Sequence, residues 1–247
     1  MAQRLTLGID VGTTSVKAGV IDATGQVVAQ FAQSYPTTRV GAQIVEQNPE
    51  DWITLINNAL AAFAGYDVSA IGLTSQVNTH VFVGHDGAAL MPAIVWQDGR
   101  AGAEAASLDA RVTQEQKLVW WGAPMPIDAS HACSRMAWVA HHKPDIWDKT
   151  RYVMLPKDYC LLNMTGEATT DPLSNIGLVD NDLNYIPQVF DLVAGAAGRA
   201  APLAPICQVI GKMRNGPFQG VPVVSGTMDA WAGLVGTGGA RDRSTVY

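Results

Sequence analysis

Gly8-Ile9-Asp10-Val11-Gly12-Thr13-Thr14-Ser15-Val16-Lys17 is the stretch whose reading decides the fold. Leu5 to Ile9 reads as a strand, broken at Asp10-Val11-Gly12-Thr13-Thr14, and Val16 to Ile21 reads as a second. Asp22-Ala23-Thr24-Gly25 turns the chain and Gln26 to Ser34 supplies a third strand, which predicts a meander of three antiparallel strands. The first turn carries glycine, hydroxyls and a carboxylate. Its small residues let backbone N–H groups point at a bound anion, and Thr13, Thr14 and Ser15 add hydroxyl donors. Asp10, at a strand end, suits a hydrated Mg2+, which keeps several waters and takes one or two carboxylates. An ordinary polar hairpin with Asp10 capping the turn fits the same residues, so this stretch alone leaves both readings open.

Downstream, Asn48-Pro49-Glu50-Asp51 is a helix start: Asn as N-cap, Pro in the first turn, and two acids against the positive end of the helix dipole. Trp52, Leu55, Ile56, Leu60 and Phe63 follow at helical spacing until Gly65. Val68 to Thr74 reads as an apolar strand that opens into Ser75-Gln76-Val77-Asn78-Thr79-His80, and Val81 to Val83 resumes before a turn at Asp86-Gly87. Beyond Trp96 the pattern is helical over Ala101 to Leu108, Thr113 to Trp121, Cys133 to His142 and Asp158 to Met164, which predicts an insertion on the substrate side. Pro187 to Gly220 carries only a weak signal, and Val221 to Val224 gives one more buried strand. The order predicts an α/β domain with a mixed sheet and a helical insertion, spanning 1–247 as one unit. The chain stops at Tyr247 without a terminating element, which predicts that the natural protein continues.

Two further segments place chemistry at element ends. In Gly226-Thr227-Met228-Asp229-Ala230-Trp231-Ala232-Gly233 a carboxylate follows an apolar strand at the start of a helix. Asp229 there suits a base that takes the proton of a sugar hydroxyl, and equally suits a helix cap. In Ala93-Ile94-Val95-Trp96-Gln97-Asp98-Gly99-Arg100 an apolar run ends in an aromatic, an amide, an acid and a guanidinium, the groups that hold sugars. The bland alternative is an Asp98–Arg100 surface pair beside a core tryptophan. Neither a GxxxxGK[ST] loop nor a GxGxxG after the first strand is present, and Gly236-Thr237-Gly238-Gly239 reads as a turn after a short helix.

Composition narrows the class. With 48% hydrophobic and 15% charged residues, the chain of 247 residues has ample material for a core. A formal charge of −6 and the lack of a Lys/Arg cluster argue against nucleic acid or a membrane surface as partner. Cys133, Cys160 and Cys207 are odd in number and widely spaced, and read as reduced, mostly buried thiols. Met1-Ala2-Gln3-Arg4 runs straight into a short apolar segment with no secretory leader, so a reducing cytoplasm is expected. His141 and His142 are expected to diverge and cap a helix, His80 to be structural, and the seven tryptophans to lie mostly in the core or at a domain interface.

Taken in order, these segments resemble the FGGY carbohydrate kinases, most closely the xylulokinase-like branch, over essentially the whole chain. The resemblance rests on Gly8 to Lys17, Glu46-Gln47-Asn48-Pro49-Glu50-Asp51-Trp52, Ser75-Gln76 and Pro92 to Arg100, with Leu155-Pro156-Lys157-Asp158-Tyr159, Thr165-Gly166-Glu167 and Gly226 to Ala230 completing it. It implies a ribonuclease H-like, actin/hexokinase-type fold of two domains, of which this chain is the first. It implies ATP and Mg2+ as cofactors, Asp10 as metal and phosphate organiser, Gly12, Thr13, Thr14, Ser15 and Lys17 as phosphate contacts, and Asp229 as general base. Gln76, Asn78, Trp96, Asp98 and Arg100 would line the sugar site. Expected partners are a small sugar and a C-terminal kinase domain; a homodimer is left open, and the isolated segment is expected to be inactive. Two departures fall beside the sugar: Gln76-Val77-Asn78-Thr79 stands where xylulokinases commonly carry Gln-Met-His-Gly, and Ala230 where they carry Asn. D-xylulose is thus the default substrate, with a related ketose or polyol as the alternative. Two rival readings are an actin-like or chaperone-like nucleotide switch and a catalytically silent sugar-binding module.

Overall fold

The computed structural model describes residues 4–239. Met1-Ala2-Gln3, read above for a leader, and the chain end at Tyr247 lie outside the described residues. In chain order the elements are β1 (Leu5–Val11), β2 (Ser15–Ile21), β3 (Val27–Ser34), β4 (Thr38–Val40), β5 (Ile44–Gln47), α1 (Pro49–Ala62), β6 (Val68–Ser75), β7 (Val81–Gly84) and β8 (Ala93–Ile94). Then follow α2 (Gly102–Asp109), α3 (Gln114–Trp121), α4 (Ala132–His142), α5 (Pro144–Lys149), β9 (Thr150–Met154), α6 (Pro156–Thr165), α7 (Pro187–Phe190), β10 (Val209–Lys212), β11 (Pro222–Met228) and α8 (Asp229–Gly236).

The central sheet has six strands in the order β10-β11-β6-β1-β2-β3. β1, β2 and β3 form the expected antiparallel meander, whereas β6 pairs parallel with β1 and β11 parallel with β6. Period-two burial along β1 sends Leu5, Leu7, Ile9 and Val11 to one face. There they meet Trp52, Ile56 and Leu60 of α1 and Tyr159 and Leu161 of α6 in the main core. α1 begins as its sequence dictates: Asn48 accepts from the Glu50 N–H, Pro49 opens the first turn, and Glu50 and Asp51 sit at the positive end. The opposite face of the sheet is a groove of about 800 Å3 bordered by Gly8, Asp10, Gly19, Phe31 and Val224, with Val235 of α8 at its edge.

A second core gathers Leu108, Trp121, Cys133, Met136, Val139, Trp147 and Phe190 around the helical insertion. The helices fall within a residue or two of their expected bounds. Several short elements carried no legible signal: β4, fully exposed, has no alternation; β8 has two residues; and β10 lies in the stretch of weak pattern and gains its place only by pairing antiparallel with β11. Cys133 and Cys160 are buried thiols, while Cys207 is exposed. Of the tryptophans, Trp52, Trp121 and Trp147 are core, but Trp96 and Trp231 are exposed. No helix among the described residues is long and apolar enough to cross a membrane.

Candidate active site

Parallel pairing brings three distant segments into one row. Val11 of β1 and Met228 of β11 both sit opposite Ser75 of β6, so Gly12, Gln76 and Asp229 leave the carboxyl ends of three adjacent strands side by side. This is where open α/β sheets take ligands. The junction at β11 needs a glycine: a Cβ on Gly226 would stand 2.0 Å from the Leu73 carbonyl oxygen. The register shifts between Ser225 and Met228, and the Thr74 hydroxyl donates to the Thr227 carbonyl at 2.5 Å across that irregularity. The bulge redirects the chain so that Asp229 opens α8.

At this end the protein leaves polar groups uncommitted. Asp10 Oδ1 is buried without a hydrogen-bond partner. Burial first, and then the charge of Asp229, push the Asp10 carboxyl up to about 6, against the opposing pull of Lys17, its cross-strand neighbour. Gly12 donates to the Ser15 carbonyl at 3.1 Å and closes the turn. Its own carbonyl accepts from the Tyr35 hydroxyl. Thr14 is exposed and Ser15 half-buried, and among the described residues neither hydroxyl is engaged. Asp229 is exposed; one of its oxygens accepts from the Ala230 N–H at 2.8 Å. A buried carboxylate oxygen with no donor, facing a second carboxylate, is a donor set that fits a hydrated divalent cation.

The neighbouring wall is the opposite in character. Trp96 Nε1 donates to Thr13 Oγ1 (3.0 Å) and the Trp96 N–H to Thr79 Oγ1 (3.1 Å). Thr79 donates to Gln76 Oε1 (3.1 Å), and Gln76 Nε2 to Gln47 Oε1 (2.8 Å). Gln47 Nε2 returns to the Thr13 carbonyl (2.8 Å), closing a ring of hydrogen bonds. Gln76 is 1% exposed with both ends of its amide engaged in that ring, while Trp96 is 45% exposed. Asp98, 2% exposed, accepts from the Val45 N–H (2.6 Å) and holds Arg100 bidentately at 2.9 and 2.8 Å. Arg100 also reaches Glu46 at 2.8 Å. Burial works against the Arg100 charge, yet Asp98 and Glu46 outweigh it and raise its pKa. The surface pair beside a core tryptophan is thus inverted: the ion pair is buried and the tryptophan is on the surface. Asn78, half-buried, takes the left-handed conformation (φ 51°) that asparagine tolerates and reaches Ser130 at 3.4 Å.

The sequence pattern named no role for Gln47 and Arg135, which hold this wall, or for the Lys157 group beneath the strand ends. Gln47 stands in the quoted Glu46-Gln47-Asn48 run. Arg135, buried on α4, donates to the carbonyls of Asn78, Ile94 (3.0 Å) and Val95 (2.7 Å) and to His80 Nδ1 (2.9 Å), so one guanidinium ties the Asn78 segment to the Trp96 segment. Its signal was a lone cation beside the apolar stripe Ala132, Met136 and Val139. Burial, then the Arg135 charge, drive the pKa of His80 well below its ordinary value, and the neutral ring accepts, a structural role as expected. Below the strand ends lies a fully buried group in which Lys157 pairs with Asp158 and, at 2.7 Å, with Asp171. Burial pulls Lys157 down, but the two carboxylates prevail and raise its pKa. The Lys157 N–H donates to the Ser75 hydroxyl at 3.1 Å, and Ser174 meets Thr227 at 3.4 Å, so this group supports the row that carries Asp229.

Comparison with known proteins gives the family. The profile described as "FGGY family of carbohydrate kinases, N-terminal domain" matches residues 5–236. The xylulose kinase of Escherichia coli (strain K12) is 31% identical over 250 residues, covering 94% of this chain and 50% of that protein. That of Bacillus subtilis (strain 168) is 26% identical over 257 residues, covering 95% and 50%. The chain therefore spans about half the length of the curated relatives it matches. Among solved structures, the xylulose kinase from Rhodospirillum rubrum superposes with a TM-score of 0.89 at 25% identity, covering 96% of this chain and 52% of that one. The glycerol kinase of Plasmodium falciparum, at 18% identity and a TM-score of 0.86, shares the fold. The chain belongs to the FGGY family of carbohydrate kinases, as an N-terminal domain of the xylulokinase-like branch with the actin/hexokinase-type fold.

Proposed function

We propose that this chain is the sugar-gripping half of a kinase that phosphorylates a ketose or related polyol, D-xylulose by default, at the expense of ATP. The observation that carries the reading is the register that sets Asp10 and Asp229 at the ends of β1 and β11, the two strands that flank β6, beside a half-exposed tryptophan. Sugar lies against Trp96 and Asn78, on a wall made rigid by the Gln47–Gln76–Thr79 ring and the Asp98–Arg100 clamp. Phosphoryl transfer asks mostly for positioning and charge stabilisation. The attacking sugar hydroxyl forms the new O–P bond to the γ-phosphate, the bond to the β-phosphate oxygen breaks, the hydroxyl proton passes to Asp229, and ADP departs. Thr13, Thr14, Ser15 and the Gly12 turn offer donors to the transferred phosphate, with Lys17 supplying positive charge. Asp10, with its unpartnered oxygen, would hold Mg2+ through its water shell, which supplies charge neutralisation on the phosphates. A second, nucleotide-binding half closes over the site and excludes water. The apolar α8, none of whose described residues is buried and whose Trp231 is 44% exposed, favours such a covering half.

The test uses the full-length protein encoded by the parent gene. ADP release is followed with a panel of ketoses and polyols, and Asp229→Ala is compared with the native protein after circular dichroism confirms folding. Turnover that depends on one sugar and falls about 10²- to 10⁴-fold in Asp229→Ala supports the reading. Sugar binding by calorimetry without turnover points instead to the silent module. Sugar-independent ATP hydrolysis that survives Asp229→Ala points to the nucleotide switch.

A further inference from the structure

A cluster away from the active site gathers metal-ligating atoms from two helices. Glu104 lies in the first turn of α2, and His141 and His142 end α4. The expectation that the adjacent histidines diverge and cap their helix does not hold: Lys143 supplies the cap, its N–H donating to the Val139 carbonyl. Both rings turn instead to one carboxylate oxygen. His142 Nε2 stands 3.0 Å and His141 Nδ1 3.7 Å from Glu104 Oε1, and the three ligand atoms lie within 4.8 Å of one another.

Those separations have a meaning in coordination chemistry. Tetrahedral Zn2+ with bonds of about 2.0–2.2 Å places its ligand atoms roughly 3.3–3.5 Å apart, and the two contacts to Glu104 straddle that edge length. Two imidazoles and one carboxylate, with water in the fourth position, are a set zinc uses; the nitrogen donors disfavour Mg2+ and Ca2+, which prefer oxygen alone. Glu104 Oε2 is buried with no hydrogen-bond partner, so the protein's own donors leave this carboxylate under-satisfied. The negative end of α4 adds attraction for a cation at this point. An outer layer is also built: His142 stacks on Trp138 at 5.0 Å, and the Arg100 guanidinium lies 5.0 Å over the same ring.

We propose that Glu104, His141 and His142 form a site for a divalent transition metal of the Zn2+ class, which braces α2 against α4 behind the Asp98–Arg100 clamp. The site is independent of the sugar and phosphate chemistry above.

The experiment titrates tag-free protein, carrying Cys207→Ser to remove the exposed thiol, with ZnCl2 by calorimetry in excess Mg2+. One equivalent is expected to bind. Glu104→Gln and His142→Gln, each verified as folded by circular dichroism, are expected to weaken binding by at least about tenfold, the loss that even outer-shell changes produce. Zinc is expected to raise the melting temperature of the parent and not of either variant. Co2+ as a spectroscopic substitute should show visible bands without thiolate charge transfer, since no cysteine is in the set. Absence of stoichiometric Zn2+ binding, affinity in either variant unchanged from the unsubstituted protein, or a thiolate band would overturn the assignment.

Discussion

The two sides of the candidate active site are built on opposite principles. On the proposed sugar side, polar groups are consumed by the protein itself: Gln76 has both ends of its amide bonded, Asp98 holds a main-chain N–H and a bidentate arginine, and Arg135 serves four acceptors. On the proposed phosphate side they are left open: Asp10 keeps a buried oxygen without a donor, and the Thr14 and Ser15 hydroxyls are free among the described residues. A wall that must recognise a neutral, directional ligand gains from rigidity, since a fixed donor spends no entropy on binding. A site for a highly charged ligand gains from groups whose satisfaction the ligand itself provides. Stability should therefore reside on one side and ligand response on the other.

The largest test of that contrast is Arg135→Met. It leaves the Asn78 carbonyl and His80 Nδ1 without a partner and takes one of two donors from the Ile94 and Val95 carbonyls, which keep the His80 and Asp98 N–H groups, and should cost about 3 kcal/mol in urea denaturation. Gln76→Met opens the hydrogen-bond ring, leaving Gln47 and Thr79 short of a partner, and should cost roughly 2 kcal/mol by the same measurement.

Asp10→Asn should go the other way, and with a defined pH window. Because the folded-state pKa of Asp10 is raised to about 6 from an ordinary 3.8, the folded chain holds a proton that the unfolded chain has lost between those values. The contribution of Asp10 to stability is then full below about pH 4 and is lost as pH rises through 6. Metal-free Asp10→Asn should match the native chain near pH 4 and exceed it above pH 6, as read by thermal unfolding across that range. A native chain that gains on the variant as pH rises would reverse the sign and break the account of this carboxylate.

The smallest stability effect belongs to Thr14→Ala and Ser15→Ala, expected within about 0.5 kcal/mol of native. If the proposed function holds, the same changes in the full-length protein should raise KM for ATP. If they destabilise the chain as much as Gln76→Met is expected to, the contrast between the two sides fails.

Much of the framework was legible because it is local. The meander follows from alternation and the Asp22-Ala23-Thr24-Gly25 turn, α1 from Asn48-Pro49-Glu50 and its apolar period, and the insertion helices from their spacing and boundaries. The edge strands β10 and β8 were not, because they owe their conformation to a partner strand rather than to their own pattern. At the site, the residue types at Asp10, Trp96 and Asp229 could be picked out. What the pattern left open was which polar side chains face a ligand and which are spent inside the protein.

By itself the sequence determined the α/β class, the order of elements and the set of chemically able residues, since strand period, helix spacing and turn composition act over a few residues. Only the tertiary structure decided that Val11, Ser75 and Met228 stand in one row, that Asp98 and Arg100 are buried while Trp96 is not, and that His141, His142 and Glu104 converge. The physical reason is range: register between distant strands and desolvation of a charge depend on everything packed around them. A short window of residues does not contain that information.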